Sequence, residues 1–288
     1  MRILYLNTTY SGGGAEKGTR QVYEEMKARG HEVYEIVCYN RRGAVEDDHV
    51  KVLYTSAPEK LFHRLQTHNR GNTNRTIPYA VWYICNFIKK HQIQVVHLHN
   101  PHDSFLGIRD IRTIQKLCPV VWTLHDFWAL TGHCAFPVGC DDRWKTGCKS
   151  CEHLANYPRL RKDVCGVLFE EKKRGLTGCG IRYTVPSDWM RQQFAESYLK
   201  EENCTTVYNS LNVADWKVTE TNRLEVSGTS MIVYTILKGV RNGWLDASYK
   251  EAAMQATYEL QHGRKGYQAL LSHILNVSVT DLKRNYEN

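Results

Sequence analysis

Short β-branched runs alternate with amphipathic stretches through the first 210 residues, the pattern of a parallel sheet covered by helices. Ile3 to Leu6 predicts a buried strand. The glycine loop Ser11-Gly12-Gly13-Gly14 follows it, and from Ala15 to Arg29 the apolar positions Val22, Tyr23 and Met26 recur at helical spacing until Gly30 supplies a C-cap. Further strands are predicted at Glu32–Cys38, Gln94–Leu98, Pro119–Leu124 and Arg182–Val185. Helices are predicted at Ile77–His91, where Pro78 suits a first turn, at Ser104–Leu117 and at Asp188–Leu199. The stretch between Cys38 and Ile77 is polar and weakly patterned. This order is that of an α/β fold, a Rossmann-like doubly wound parallel sheet.

The pattern changes beyond residue 210. Residues 211–223 are polar and irregular and predict a linker. Residues 224–288 predict a short helical tail, with helices from about Met231, over Tyr249–Leu260 and over Tyr267–Leu275, punctuated by Gly243 and Gly263. The tail is expected not to join the sheet, its apolar residues Ile232, Ile236, Leu237, Leu260, Leu270, Leu271 and Ile274 finding only one another or the domain surface and leaving an exposed apolar patch.

With 288 residues, 42% apolar and 24% charged, and a mean hydropathy of −0.49, the chain has a soluble globular composition sufficient for one large or two smaller domains. No run reaches the ~20 apolar residues of a membrane span, and Met1-Arg2-Ile3-Leu4-Tyr5-Leu6-Asn7 turns polar before a signal-peptide core forms, so a cytoplasmic protein is expected. The net charge of +8 favours anionic partners such as nucleotides, phosphosugars or an acidic membrane surface, leaving room for peripheral association at the inner face of the membrane. Nucleic acid is not expected as a partner, because Lys and Arg are scattered among acidic neighbours.

Three places carry candidate chemistry. The glycines Gly12, Gly13 and Gly14 lie between a strand and a helix start, where backbone can approach a phosphate or sugar; a plain flexible turn is the alternative. The strands at Gln94–Leu98 and Pro119–Leu124 run into His97-Leu98-His99-Asn100-Pro101-His102-Asp103 and His125-Asp126-Phe127-Trp128. In an open parallel sheet ligands bind beyond the carboxyl ends of strands, so both clusters point to one crevice. Alternation puts His97 and His99 on one side, as a metal pair or as hydrogen-bonded core histidines.

The third place is a loop, residues 134–151, where Cys134, Cys140, Cys148 and Cys151 are spaced C-x5-C-x7-C-x2-C. Four thiolates satisfy tetrahedral zinc, and a structural zinc is the expectation, with reduced thiols or disulfides as alternatives. Without a secretory signal, the ten cysteines argue against a disulfide framework. Cys38 and Cys85 are read as core packing.

The segments Ser11-Gly12-Gly13-Gly14-Ala15, Gly30-His31-Glu32-Val33, Val96-His97-Leu98-His99-Asn100, Val121-Trp122-Thr123-Leu124-His125-Asp126-Phe127-Trp128, Thr131-Gly132-His133-Cys134 and Arg143-Trp144-Lys145-Thr146-Gly147-Cys148 together resemble bacterial family 4 glycosyltransferases of the polysaccharide-building kind. Val185-Pro186-Ser187-Asp188-Trp189 and Val207-Tyr208-Asn209-Ser210-Leu211-Asn212 resemble later landmarks of the same domain, and the likeness spans roughly residues 1–216. It implies that residues 1–210 are the amino-terminal, acceptor-side domain, the first half of a GT-B fold. The implied reaction moves a sugar from a nucleotide-sugar donor to a polysaccharide or lipid-linked acceptor, with no cofactor required. His125 and Asp126 would be catalytic, orienting the acceptor, and Gly12, Gly13, Gly14, His99, Asn100, Ser187 and Asn209 would bind substrate.

The family's second Rossmann-like domain, which holds the donor, is expected to be replaced by the tail. Leu224 to Leu260 instead resembles a helical fragment of unsaturated glucuronyl or rhamnogalacturonyl hydrolases, through Glu225-Val226-Ser227-Gly228-Thr229-Ser230-Met231 and Leu237-Lys238-Gly239-Val240-Arg241-Asn242-Gly243-Trp244-Leu245-Asp246. The spacing of Glu251 and Glu259 is taken as chance. An impaired transferase is therefore expected, with an inert acceptor-binding remnant and a polysaccharide hydrolase fragment as alternatives.

Overall fold

The computed structural model describes residues 1–40, 45, 47–68, 74, 78–102, 105–209, 226–243, 246–251, 253 and 254. The chain divides into two compact units, Met1–Val213 and Ala214–Asn288.

Seven strands are described in the first unit: β1 (Arg2–Thr9), β2 (Glu32–Tyr39), β3 (Val50–Val52), β4 (Val95–Leu98), β5 (Val120–Thr123), β6 (Arg182–Val185) and β7 (Cys204–Thr206). All pair in parallel, in the order β3-β2-β1-β4-β5-β6-β7. The helices are α1 (Gly14–Ala28), α2 (Ala57–His68), α3 (Pro78–Lys90), α4 (Ile108–Leu117), α5 (Arg143–Thr146), α6 (Cys165–Leu176) and α7 (Asp188–Ala195).

Every position of β1 from Ile3 to Thr9 is buried, as a central strand covered on both faces requires. Alternation divides its side chains. Leu4 and Leu6 enter a core with Val96, Leu98, Trp122, Ile84 and Ile88 of α3, and Ile111 and Ile114 of α4. Ile3 and Tyr5 enter a smaller cluster with Tyr23 of α1 and Val33. Each fully buried aliphatic side chain stabilises the fold by roughly 1.5–3 kcal/mol, so the two faces together fix the strand's register.

The sheet's order reverses at β1, with β2 and β3 on one side and β4 to β7 on the other. The carboxyl ends of β1 and β4 therefore flank a topological switch point, where chain connections diverge and leave a crevice.

The doubly wound parallel sheet expected from the sequence is present, with differences at the elements' ends. The helix expected from Ser104 begins at Ile108, because Gly107 is its N-cap and donates its N–H to the Asp110 carboxylate at 2.9 Å. Phe105 and Leu106 are buried ahead of the helix. The helix expected to reach Leu199 ends at Ala195. The elements β3, β7, α2, α5 and α6 were not expected. On α6, Gly175 lets α4 approach closely: a Cβ there would lie 2.2 Å from Ile108 Cγ2.

The second unit contains α8 (Val226–Arg241) and a further helical turn at residues 249–251, 253 and 254. Val233 and Ala253 are buried, and Ile236 and Leu237 are half-buried. The expected linker, the helix expected at Tyr267–Leu275, the side chain of Ile232, and Leu260, Leu270, Leu271 and Ile274 lie outside the described residues. Among the described residues no helix is long and apolar enough to cross a membrane.

Candidate functional site

The switch point is stitched together by the end of β1. The Thr8 N–H donates to Asn100 O at 2.9 Å, and the Thr8 hydroxyl lies 2.7 Å from that same oxygen and 2.6 Å from His102 O. The chain leaving β4 is thus held against β1 by backbone groups. Thr9 Oγ1 donates to Glu16 Oε1 at 2.8 Å, tying the strand to the first turn of α1 across the glycine loop.

Within that loop Gly12 has a φ of +141°, a backbone state that disfavours side chains. Gly13 is the N-cap of α1, and a Cβ on it would meet Glu16 Oε2 at 2.6 Å. A Cβ on Gly14 would meet nothing within 4 Å. Gly13 therefore accommodates a carboxylate folded back over the helix start, which places negative charge where the helix dipole favours it. Asn209 is exposed and reaches the same helix, its Oδ1 lying 3.7 Å from where a Gly18 Cβ would stand.

Three histidines meet at the carboxyl ends of β4 and β5, His97 within β4 and His99 and His125 just past the two strands. His99 Nδ1 lies 2.8 Å from His125 Nε2, so one of the two nitrogens donates to the other. His97 Nε2 is 2.7 Å from Thr123 Oγ1, which is itself 2.7 Å from Thr184 Oγ1 on β6. The ring centroids of His97 and His99 are 4.3 Å apart, and Tyr5 stacks on His99 at 5.8 Å. His97 and His99 thus lie on one side of the chain, as alternation predicts, and each ring is hydrogen-bonded to a neighbouring side chain.

Burial pushes His97 down to about 4, helped by the neighbouring His125. It pushes His99 further below the usual imidazole range, with both neighbours adding to the effect. Burial also lowers His125, opposed by Asp126 and Glu16. All three rings are neutral at pH 7, so each offers one donor and one acceptor nitrogen. Two buried atoms here, Asn7 Nδ2 and His99 Nε2, have no hydrogen-bond partner among the described residues.

Asp126 is held on both oxygens. Oδ2 lies 2.7 Å from His102 Nε2, and Oδ1 accepts the Trp128 N–H at 2.8 Å. Its side chain keeps 24% of its exposure while that of His102 keeps 5%, so a partly exposed carboxylate is backed by a buried ring. Behind this pair Lys172 is fully buried, donating to Trp128 O at 2.5 Å and Thr131 O at 3.1 Å with its ammonium 3.9 Å over the Trp128 ring. Burial lowers its pKa to about 7, opposed by Cys148 and Cys134.

Of the residues singled out from the sequence, His99, Asn100, His125 and Asp126 come together at the switch point. Ser187 is the N-cap of α7 and accepts the Met190 N–H at 3.2 Å, so its oxygen has a structural task. Glu16, His102 and Lys172 were missed. Glu16 carries no mark on its predicted helix and Lys172 lies where no element was predicted, whereas His102 stood within the quoted run after β4 and could have been paired with Asp126.

Cys134, Cys140, Cys148 and Cys151 line one small cavity of ≈ 20 Å³ open to a water-sized sphere, together with His133 and Cys165. The donor atoms that come within 4.8 Å of one another are those of His133, Cys151 and Cys165, not those of the expected quartet. All ten cysteines of the chain are free thiols. Cys165, at the start of α6, was not singled out because it stands alone, 14 residues past the C-x2-C pair that ends the loop.

Comparison with known proteins bears on this geometry. The profile of glycosyltransferase family 4 matches residues 12–215, and that of glycosyl hydrolase family 88 matches residues 212–278. WcaC of Escherichia coli K12, described as a colanic acid biosynthesis glycosyl transferase, is 26% identical over 236 residues, covering 74% of this chain and 55% of that protein. The chain thus spans about half the length of this relative. An arginine–tRNA ligase from Agathobacter rectalis is 81% identical over 43 residues, 15% of this chain and 7% of that enzyme, a likeness the sequence reading missed. Among solved structures, a glycosyltransferase from Rickettsia africae ESF-5 aligns over 92% of this chain and 66% of its own at 12% identity and a TM-score of 0.43. WaaG, a glycosyltransferase involved in lipopolysaccharide biosynthesis, aligns over 84% and 51% at 14% identity and a TM-score of 0.44.

Proposed function

Because the chain belongs to glycosyltransferase family 4, we propose that its first unit is the acceptor-side half of a sugar transferase acting in polysaccharide biosynthesis. The observation that carries this reading is the family match over residues 12–215, which includes the glycine loop and the segments following β4 and β5. The reaction takes a glycosyl unit from a nucleotide-sugar donor to a hydroxyl of a glycan or lipid-linked acceptor. Such a transfer needs the acceptor hydroxyl aligned with the anomeric carbon, and little competing water.

The arrangement suits those needs. Asp126, fixed by His102 and by the Trp128 N–H, is a preset acceptor for a sugar hydroxyl. His125, braced by His99, presents a neutral ring that can donate or accept at its remaining nitrogen. Asn100, whose carbonyl is bonded to Thr8, and Asn209, beside Gly18 of α1, are further candidates for hydroxyl partners. The backbone at Gly12–Gly14 lies open to a ligand, with Glu16 favouring hydroxyls over phosphate at that helix start. The positive net charge accords with peripheral association at the inner face of the membrane.

A second reading is favoured by the tail, where residues 212–278 match a hydrolase family. On that reading the first unit binds acceptor and this chain performs no transfer. Incubating the full chain with labelled nucleotide-sugars and membrane lipid extract distinguishes them: label in the lipid or polysaccharide fraction supports transfer, and saturable acceptor binding without label supports the second reading. Neither binding nor transfer by folded protein contradicts both.

A further inference from the structure

The cysteine-rich loop after Trp128 and the first residue of α6 converge on one point, where His133, Cys151 and Cys165 bring their donor atoms within 4.8 Å of one another. We propose that these three residues hold a zinc ion whose fourth ligand is one of Cys134, Cys140 and Cys148, which line the same cavity. The ion staples the loop following Asp126 to α6.

The histidine is already in the right tautomer. His133 Nδ1 is 2.9 Å from Pro158 O, and a carbonyl can only accept, so Nδ1 carries the hydrogen. Nε2 is then left as a lone pair, 3.8 Å from Cys151 Sγ. A carbonyl behind the ring is the usual partner that orients a metal-ligating imidazole.

The two cysteines are held by their backbones. Asp163 accepts the Cys151 N–H on Oδ2 at 2.9 Å and the Cys165 N–H on Oδ1 at 3.1 Å, so one carboxylate fixes both ligand segments. Gly132 brings the histidine to the helix: a Cβ there would stand 2.5 Å from Cys165 O, and its N–H donates to Cys148 Sγ at 3.1 Å. His133 is the next residue. These constraints come from three separate stretches of chain and meet at one centre.

Donor chemistry selects the metal. Thiolate sulfur with imidazole nitrogen suits zinc and disfavours magnesium or calcium, which take oxygen. One histidine and three thiolates make a closed tetrahedral shell with no position for water, hence a structural ion. Binding converts each ligating thiol to thiolate, releasing its proton to solvent. The cavity, ≈ 20 Å³, has the volume of a single small occupant.

The test is metal content of the full chain, purified under reducing conditions without chelator, alongside mass-spectrometric thiol counting. The expected result is about one zinc per chain with no disulfide in this loop. Cys165→Ser and His133→Asn are expected to lower zinc content at least fivefold, while Cys204→Ser on β7 leaves it unchanged. Cobalt reconstitution gives a readout on the wild-type chain alone, through the intense visible bands of tetrahedral thiolate coordination. Serine variants of Cys134, Cys140 and Cys148 identify the fourth ligand as the one whose loss alters that spectrum. Wild-type protein without zinc and without the cobalt spectrum overturns the proposal, as do disulfides among these cysteines. Folded Cys165→Ser protein with undiminished zinc overturns the proposed ligand set.

Discussion

His99 Nδ1 and His125 Nε2 stand 2.8 Å apart across the carboxyl ends of neighbouring parallel strands, one ring buried and the other half-exposed. This contact joins the interior of the sheet to its crevice, because His99 also stacks on Tyr5 of the central strand. The position of His125 is thereby set by core packing.

The same burial predicts an acid-labile fold. His97, His99 and His125 have folded-state pKa values below that of an unfolded histidine, about 6.5, and His97 falls to about 4. A depressed value contributes stability that is full above the unfolded pKa and lost as pH falls toward the folded one. Thermal stability is therefore expected to decline from pH 7 to pH 4, by on the order of 1 kcal/mol per pH unit for each proton taken up on unfolding. His97→Gln should flatten that slope when melting is followed by circular dichroism across the range; an unchanged slope would remove His97 from the cause.

Lys172 is expected to be structural. Lys172→Met keeps the length of the side chain but leaves Trp128 O and Thr131 O without their buried donor, a cost of roughly 1–3 kcal/mol in urea unfolding. Equal stability of the variant would show that these carbonyls find other partners.

Much of this architecture can be read from the chain, and the misses share causes. The long apolar run of β1 and the periodicity of α1 are strong local signals, and placing His99, Asn100, His125 and Asp126 at strand ends needed only the rule for parallel sheets. The three-residue strands β3 and β7 are too short to show alternation. In α6 the side chain of Lys172 is buried by tertiary packing against Trp128, so a charge that ordinarily marks the solvent face hid the helix's inner side. Cys165 joins the cysteine-rich loop only in three dimensions, through Asp163 and Gly132. The late start of α4 and the early stop of α7 are decisions of local hydrogen bonding: Gly107 donates to Asp110 at the first, and at the second the Ser197 hydroxyl donates to Phe194 O and accepts the Leu199 N–H.

Gly132 has no room for a side chain. Gly132→Ala would press a methyl group on the Cys165 backbone and is expected to cost about 1–3 kcal/mol, the usual penalty for overpacking. Gly14→Ala, where a Cβ meets nothing within 4 Å, serves as the control and should change stability little. Comparable denaturation midpoints for the two variants would contradict this difference.

The unit Met1–Val213 contains the whole sheet and nearly all of the family 4 match. Expressed alone it is expected to fold and to unfold in one cooperative transition. Failure to fold while the full chain does so would make the tail an integral support of the domain.

The central claim is that the edge of the sheet between β1, β4 and β5 holds a glycan acceptor. Its most direct test is a nuclear magnetic resonance titration of the full chain with acceptor oligosaccharides, following the imidazole signals of His99 and His125. The account predicts saturable shifts at both rings, and at least a tenfold weaker dissociation constant in folded Asp126→Asn protein, the loss of about 1.4 kcal/mol that one charge-assisted hydrogen bond can supply. Signals of His99 and His125 that stay fixed while other parts of the protein shift, or an affinity unchanged by Asp126→Asn, would contradict it.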